Sequence, residues 1–109
     1  MININIKTTG IELSSDITNY LNKKLSSLDK FVRDDDTGAE AKVEIGKETN
    51  HHKTGNIFFT EINFTIGGKT FRARSNGDSV MSSMDEAKDV AMELLREEKD
   101  KNTNKNKKQ

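Results

Sequence analysis

Ile62-Asn63-Phe64-Thr65-Ile66-Gly67-Gly68-Lys69-Thr70-Phe71-Arg72-Ala73-Arg74 is the stretch whose reading decides the fold. Ile62, Phe64 and Ile66 alternate with Asn63 and Thr65, the period-2 pattern of a strand with one buried face. Gly67-Gly68 supplies the two positive-φ positions that a tight hairpin turn needs. A two-residue loop pairs Ile66 with Lys69, Phe64 with Phe71 and Ile62 with Ala73, so the apolar residues of both strands share a face. The other face carries Glu61 opposite Arg74 and Asn63 opposite Arg72.

Downstream, Ser75-Asn76-Gly77 reads as a loop, and Ser79 or Asp78 caps a helix expected to reach about Lys99. Val80, Met84, Ala87, Ala91 and Leu94/Leu95 recur at helical spacing, so one stripe can lie on the hairpin's apolar face. Such a ββα unit needs more sheet and a second helix to close its core.

Upstream residues supply both. Ile2, Ile4 and Ile6 alternate with Asn3 and Asn5 in a first strand over Met1–Lys7. Thr8-Thr9-Gly10 ends it, and a helix starts at Ser14 or Ser15. Ile17, Leu21, Leu25, Leu28 and Val32 form its apolar stripe, with Tyr20 and Phe31 at the edge. On a continuous α-helix Lys23, Lys30 and Arg33 project from the opposite side, and Lys24 from a flank. Arg33–Gly38 is a polar loop. Ala41, Val43 and Ile45 alternate with Lys42 and Glu44 as a second strand, and a polar loop over Lys47–Gly55 holds His51-His52. Ile57–Ile66 is the third strand, with Phe58 on the face of Ile62 and Phe64, and Lys69–Ser75 the fourth.

The order is β-α-β-β-β-α. A helix between the first two strands favours a parallel pair, and short links afterwards favour an antiparallel meander. The expected fold is α+β, a four-stranded mixed sheet with two helices on one face. Lys42, Glu44, Glu61, Asn63, Arg72 and Arg74 are left on the uncovered face. One domain over residues 1–100 and a disordered basic tail over 101–109 are expected, since Asn102–Gln109 has no apolar residue.

Composition narrows the function. Lys and Arg total 18 against 18 Asp and Glu, which excludes a uniformly basic nucleic-acid binder but not a local basic patch. No run approaches the ~20 apolar residues of a membrane span, and the first residues lack a charged-then-apolar leader pattern. The absence of cysteine removes disulfides and thiol chemistry. A cytoplasmic protein is the simplest expectation.

Catalytic patterns are lacking. His51-His52 is the whole histidine content, with no cysteine or further histidine to complete a metal site, so a solvated loop is expected. Asp34-Asp35-Asp36 lacks the spacing and closing Glu of a calcium loop. Gly67-Gly68 joins two strands rather than opening a helix, so it is a turn and not a phosphate cradle. No enzyme, cofactor, metal or small-molecule substrate is expected. The remaining signals are the cations of the first helix, the Arg72/Arg74 row and the lysines from Lys99 to Lys108. They read either as phosphate contacts or as an ordinary solvated surface.

The segment Glu12-Leu13-Ser14-Ser15-Asp16-Ile17-Thr18-Asn19-Tyr20-Leu21-Asn22-Lys23-Lys24-Leu25, continuing to Leu28-Asp29-Lys30-Phe31, resembles the ribosome hibernation-promoting factors, also called sigma-54 modulation proteins. Those typically show a Thr-Pro helix start, where this chain has Ser14-Ser15, then a Tyr, Lys-Lys-Leu and Leu-x-Lys-aromatic at this spacing. Gly67-Gly68-Lys69-Thr70-Phe71-Arg72-Ala73 and Ser79-Val80-Met81-Ser82-Ser83-Met84-Asp85 resemble the family's later signature, commonly Asp-Met-Tyr-x-Ala-Ile-Asp. The resemblance covers Ile2 to about Lys99. It implies a fold like double-stranded RNA-binding domains. It also implies binding to ribosomal RNA between head and body of the small ribosomal subunit, in the messenger and transfer RNA path, where translation is silenced.

On that reading the candidate RNA-binding residues are Lys23, Lys24, Lys30, Arg33, Arg72, Arg74, Lys88, Arg96 and Lys99, in a protein monomeric by itself. The second helix departs from the family. Val90-Ala91-Met92-Glu93-Leu94-Leu95 stands where Lys-Leu-x-Arg-Gln-Leu is usual, and Asp85, Glu86, Asp89, Glu93, Glu97 and Glu98 outnumber its Lys88 and Arg96. The alternative is therefore a protein-interaction module on the same fold, using the acidic second helix or the exposed sheet face.

Overall fold

The computed structural model describes residues 2–48 and 57–107, with 102–107 by backbone alone. Strand β1 spans Asn3–Thr9 and helix α1 Ser15–Leu25; a 3-10 helix, Ser26–Phe31, follows. Strands β2 (Glu40–Lys47), β3 (Phe58–Ile66) and β4 (Lys69–Gly77) lead to helix α2 (Val80–Lys107). The four strands lie in the order β1-β2-β3-β4, with β1 parallel to β2 and the others antiparallel. This is the expected α+β arrangement. The hairpin register is also the expected one, including Phe64 opposite Phe71 and Glu61 opposite Arg74. Gly67 and Gly68 sit at φ +64 and +76, as a two-residue turn with both central residues left-handed requires.

Strand parity sorts the side chains. Ala41, Val43, Ile45, Ile62, Phe64 and Ala73 are buried beneath the helices, with Leu21, Leu25 and Leu28 from one side and Met84, Ala87, Ala91 and Leu95 from α2. Phe64 and Phe71 stack with centroids 5.0 Å apart and planes 14° from parallel. At the far end of this face the pattern turns polar. Thr60 and Ser83 are fully buried, their hydroxyls 2.8 Å apart, and Ser83 donates to the Val80 carbonyl. That pairing satisfies both hydroxyls and seats the first turn of α2 on β3.

Both helix starts are capped by serine. Ser14 accepts from the Ile17 amide at 3.2 Å. At α2 the cap is Ser79: its hydroxyl accepts from the Ser82 amide at 3.1 Å, and Ser82 Oγ accepts in turn from the Ser79 amide at 3.2 Å. This is the reciprocal arrangement of a capping box.

Three expectations about element ends need correction. The first helix does not run as one α-helix to Arg33. Ser26 Oγ donates to the Lys23 carbonyl at 2.6 Å and Ser27 Oγ to the Lys24 carbonyl at 2.8 Å, local bonds that compete with the α ladder where the chain tightens to 3-10 geometry. The fourth strand includes Asn76 and Gly77, which pair with Phe59 and Phe58. Helix α2 continues to Lys107, past its expected end near Lys99. The His51-His52 loop lies outside the described residues.

Candidate nucleic-acid interface

The two helices are tied by a polar cluster. Tyr20 on α1 donates its hydroxyl hydrogen to Asp85 Oδ1 on α2 at 2.7 Å, and Lys24 Nζ lies 3.3 Å from the same oxygen. The Tyr20 and Lys24 hydrogen bonds hold the Asp85 carboxyl below its ordinary range, and the bond to Asp85 raises the Tyr20 phenol and the Lys24 ammonium above theirs. Lys24 also stands over the Tyr20 ring, 5.4 Å from its centroid. Lys24, a candidate phosphate contact by sequence, is thus engaged inside the protein.

The break in the first helix re-aims the next cations. Lys30 and Arg33 do not continue a row from Lys23. They line a notch at the hairpin end of the molecule with Phe31, Ile66, Gly67, Lys69, Leu95, Glu98 and Lys99, and Arg96 and Asp100 line an adjoining hollow that shares Lys30, Phe31 and Lys99. Three elements distant in sequence therefore bring Lys30, Arg33, Lys69, Arg96 and Lys99 together. Lys69 is bonded to Glu98 at 2.7 Å, which holds that carboxyl below its usual range. Arg33 lies 3.4 Å from Asp35 and Arg96 3.9 Å from Glu93, both surface pairs of little strength. Lys30 and Lys99 make no ion pair with a described residue. Asp36 holds the loop against the turn, accepting from the Gly67 amide at 2.8 Å and the Gly38 amide at 3.0 Å.

The uncovered sheet face is less available to phosphate than its arginines imply. Glu61 Oε1 accepts from Arg72 at 2.8 Å and from Arg74 at 3.3 Å, and Arg74 also reaches Glu48 at 2.6 Å. The Arg72 bond is the chief reason the Glu61 carboxyl titrates below its ordinary range. Phe59 lies on this face yet is only 6% exposed. It packs over Gly46, its cross-strand partner, with the Arg74 guanidinium 4.4 Å from its ring centroid.

The outer side of α2 is acidic, as its sequence indicates. Glu86, Asp89, Glu93 and Glu97 are exposed, Lys88 is 2.9 Å from Asp89, and Val90 is 38% exposed among them. Of the nine candidate cations, then, Lys30, Arg33, Arg96 and Lys99 converge. Lys23 stands exposed on α1, Arg72 and Arg74 belong to the opposite face, and Lys24 and Lys88 are paired.

Sequence reasoning missed Lys69, Phe59 and the Thr60–Ser83 pair. Lys69 was legible as the residue after the turn, but nothing local says that the turn meets α2. The Ser26-Ser27 pair was a signal for the helix break. Among the described residues no group of three or more His, Cys, Asp and Glu side chains is placed to hold a metal ion, and no helix is long and apolar enough to cross a membrane.

The family model described as sigma 54 modulation protein / S30EA ribosomal protein matches residues 4–103. The chain belongs to this family. Its fold is similar to the crystal structure of the Protein Y N-terminal domain from Thermus thermophilus, with TM-score 0.68 and 22% identity over 88% of this chain and 96% of that one. It is also similar to a ribosomal subunit interface protein from Coxiella burnetii, with TM-score 0.69 and 15% identity over 90% of this chain and 98% of that one. No curated protein matches the chain in sequence at a significant level. Family membership gives the helix tie a meaning. Tyr20 and Lys24 come from one stretch that resembles the family and Asp85 from the other, so the two stretches meet in one hydrogen-bonded cluster.

Proposed function

We propose that this cytoplasmic, monomeric protein associates with the small ribosomal subunit in the messenger and transfer RNA path and silences translation there. Membership of a family described by a ribosomal protein supports the partner, and so does the likeness to the ribosomal subunit interface protein from Coxiella burnetii. The single observation that carries the reading is the gathering of Lys30, Arg33, Lys69 and Lys99 around one notch, with Arg96 in the hollow that adjoins it. Cations from three elements, held by a rigid sheet and helix, offer a phosphate backbone a fixed set of contacts without chemistry. The neutral overall charge makes this a local interface, not a diffuse one.

The test is cosedimentation of the purified protein with small subunits at ~50 and ~200 mM salt. Binding should weaken steeply at the higher salt. Reversing Lys30 and Arg33 together should cost roughly tenfold or more and lower the salt slope by about two. Glu93→Lys should leave binding equal or improved, because it removes an acid beside Arg96. Inhibition should appear on empty ribosomes and be weak on ribosomes already engaged in elongation.

The acidic outer face of α2 with Val90 exposed at its centre favours a second reading, a protein-interaction module. If Lys30 and Arg33 reversal leaves ribosome binding intact while Glu93→Lys abolishes a protein contact, that reading replaces the first.

A further inference from the structure

The notch has a second property beyond its charge. Its floor is apolar, made by Phe31, Ile66 and Leu95, while Lys30, Arg33, Lys99 and the Lys69–Glu98 pair line it with charge. A surface built only for phosphate has no use for an aromatic floor. Phe31 is half-buried, packed against the core and yet lining the notch, and the Lys30 ammonium lies 5.5 Å from its ring centroid. The cation stands over the ring, so it leaves the ring for a phosphate when a base stacks there.

We infer that this notch takes one unstacked base of single-stranded RNA against Phe31, with the adjoining phosphates on Lys30, Arg33 and Lys99. The inference rests on the ribosome reading above and deepens it by naming the form of RNA that is held. Bases stack on aromatic rings regardless of their identity, while cations track the backbone. A base inside an A-form duplex has no free face to offer, and such helices present phosphates and 2′-hydroxyls instead. A free nucleotide is the poorer occupant. At the turn, the Gly67 N–H is already taken by Asp36 Oδ2, so that amide is not free to hold a compact polyphosphate. The cations are instead spread around the rim, as a passing strand requires.

The probe is a fluorescein-labelled RNA of about six nucleotides with its abasic counterpart, read by anisotropy at fixed salt. Wild-type protein should bind the base-bearing strand about tenfold more tightly than the abasic one. Phe31→Leu, which keeps an apolar side chain in the core, should lose that preference while its abasic affinity stays unchanged. Phe31→Tyr should retain it. Equal wild-type affinity for both strands overturns the inference without any variant, and so does a Phe31→Leu loss that is the same on both. Adenosine monophosphate binding as tightly as the strand also overturns it, because the notch would then be a metabolite site. Small-subunit cosedimentation separates the two readings. If the base preference is absent while wild-type protein still cosediments, the notch inference fails alone. If cosedimentation is absent while the preference persists, the ribosome reading fails alone.

Discussion

The Tyr20 hydroxyl on α1 and the Asp85 carboxylate on α2 meet at 2.7 Å, joining residues 65 positions apart across the helix pair. Lys24 closes the cluster from the same side. The 3-10 helix that follows α1 brings Phe31 to the hairpin-end notch and α2 brings Lys99, so this contact ties together the two segments that lead to the candidate interface.

Acid should weaken this tie. The Asp85 and Glu61 carboxyls are both held below their ordinary range in the folded chain, by Tyr20 and Arg72 respectively. A depressed carboxyl stabilises the fold above its unfolded value near ~4 and loses that contribution as pH falls through the lower folded value. Stability measured by urea melts should therefore decline from pH ~5 downward. In Asp85→Asn the decline should be shallower, and Tyr20→Phe should flatten it in the same direction.

Phe64 is fully buried and stacked on Phe71 at the centre of the sheet. Phe64→Ala should cost ~3–5 kcal/mol through lost burial and the cavity left behind. Chemical denaturation would show it as a lower midpoint with an unchanged slope. A loss below ~1 kcal/mol would mean that the core closes over the gap.

Gly46 makes room on the uncovered face. A Cβ there would stand 2.4 Å from the Thr9 carbonyl oxygen and 2.9 Å from the Phe59 ring. Gly46→Ala should therefore destabilise by roughly 1–3 kcal/mol, since the nearer obstacle is backbone of the neighbouring strand. Phe59→Ala should relieve only part of the clash, so the double variant should remain less stable than Phe59→Ala alone.

Removal of residues 102–109 should weaken ribosome association modestly and flatten its salt dependence, because the segment adds Lys105, Lys107 and Lys108 with no acid. Cosedimentation across a salt series would show this. An unchanged slope would assign the whole electrostatic contribution to the folded part.

By itself the sequence determined the elements, their order and the hairpin register. Those follow from local rules: period-2 alternation in Ile62–Ile66, two glycines at the turn, and serines before apolar helical stripes. Each rule acts between residues adjacent in the chain or on one element, so it can be read without coordinates. Where the Ser26-Ser27 hydroxyls compete with the helix ladder, local chemistry also decided, though more subtly than the apolar stripe suggested. The interface was different. Lys30, Lys69 and Lys99 become neighbours only because the hairpin turn, the end of the 3-10 helix and α2 meet at one end of the sheet. The hairpin register already set Glu61 opposite Arg74, but only the structure shows Glu61 also bonded to Arg72 and Glu48, just past β2, bonded to Arg74. Ion pairing and convergence depend on distances through space, which strand pairing and helix packing set, and only the tertiary structure supplies them.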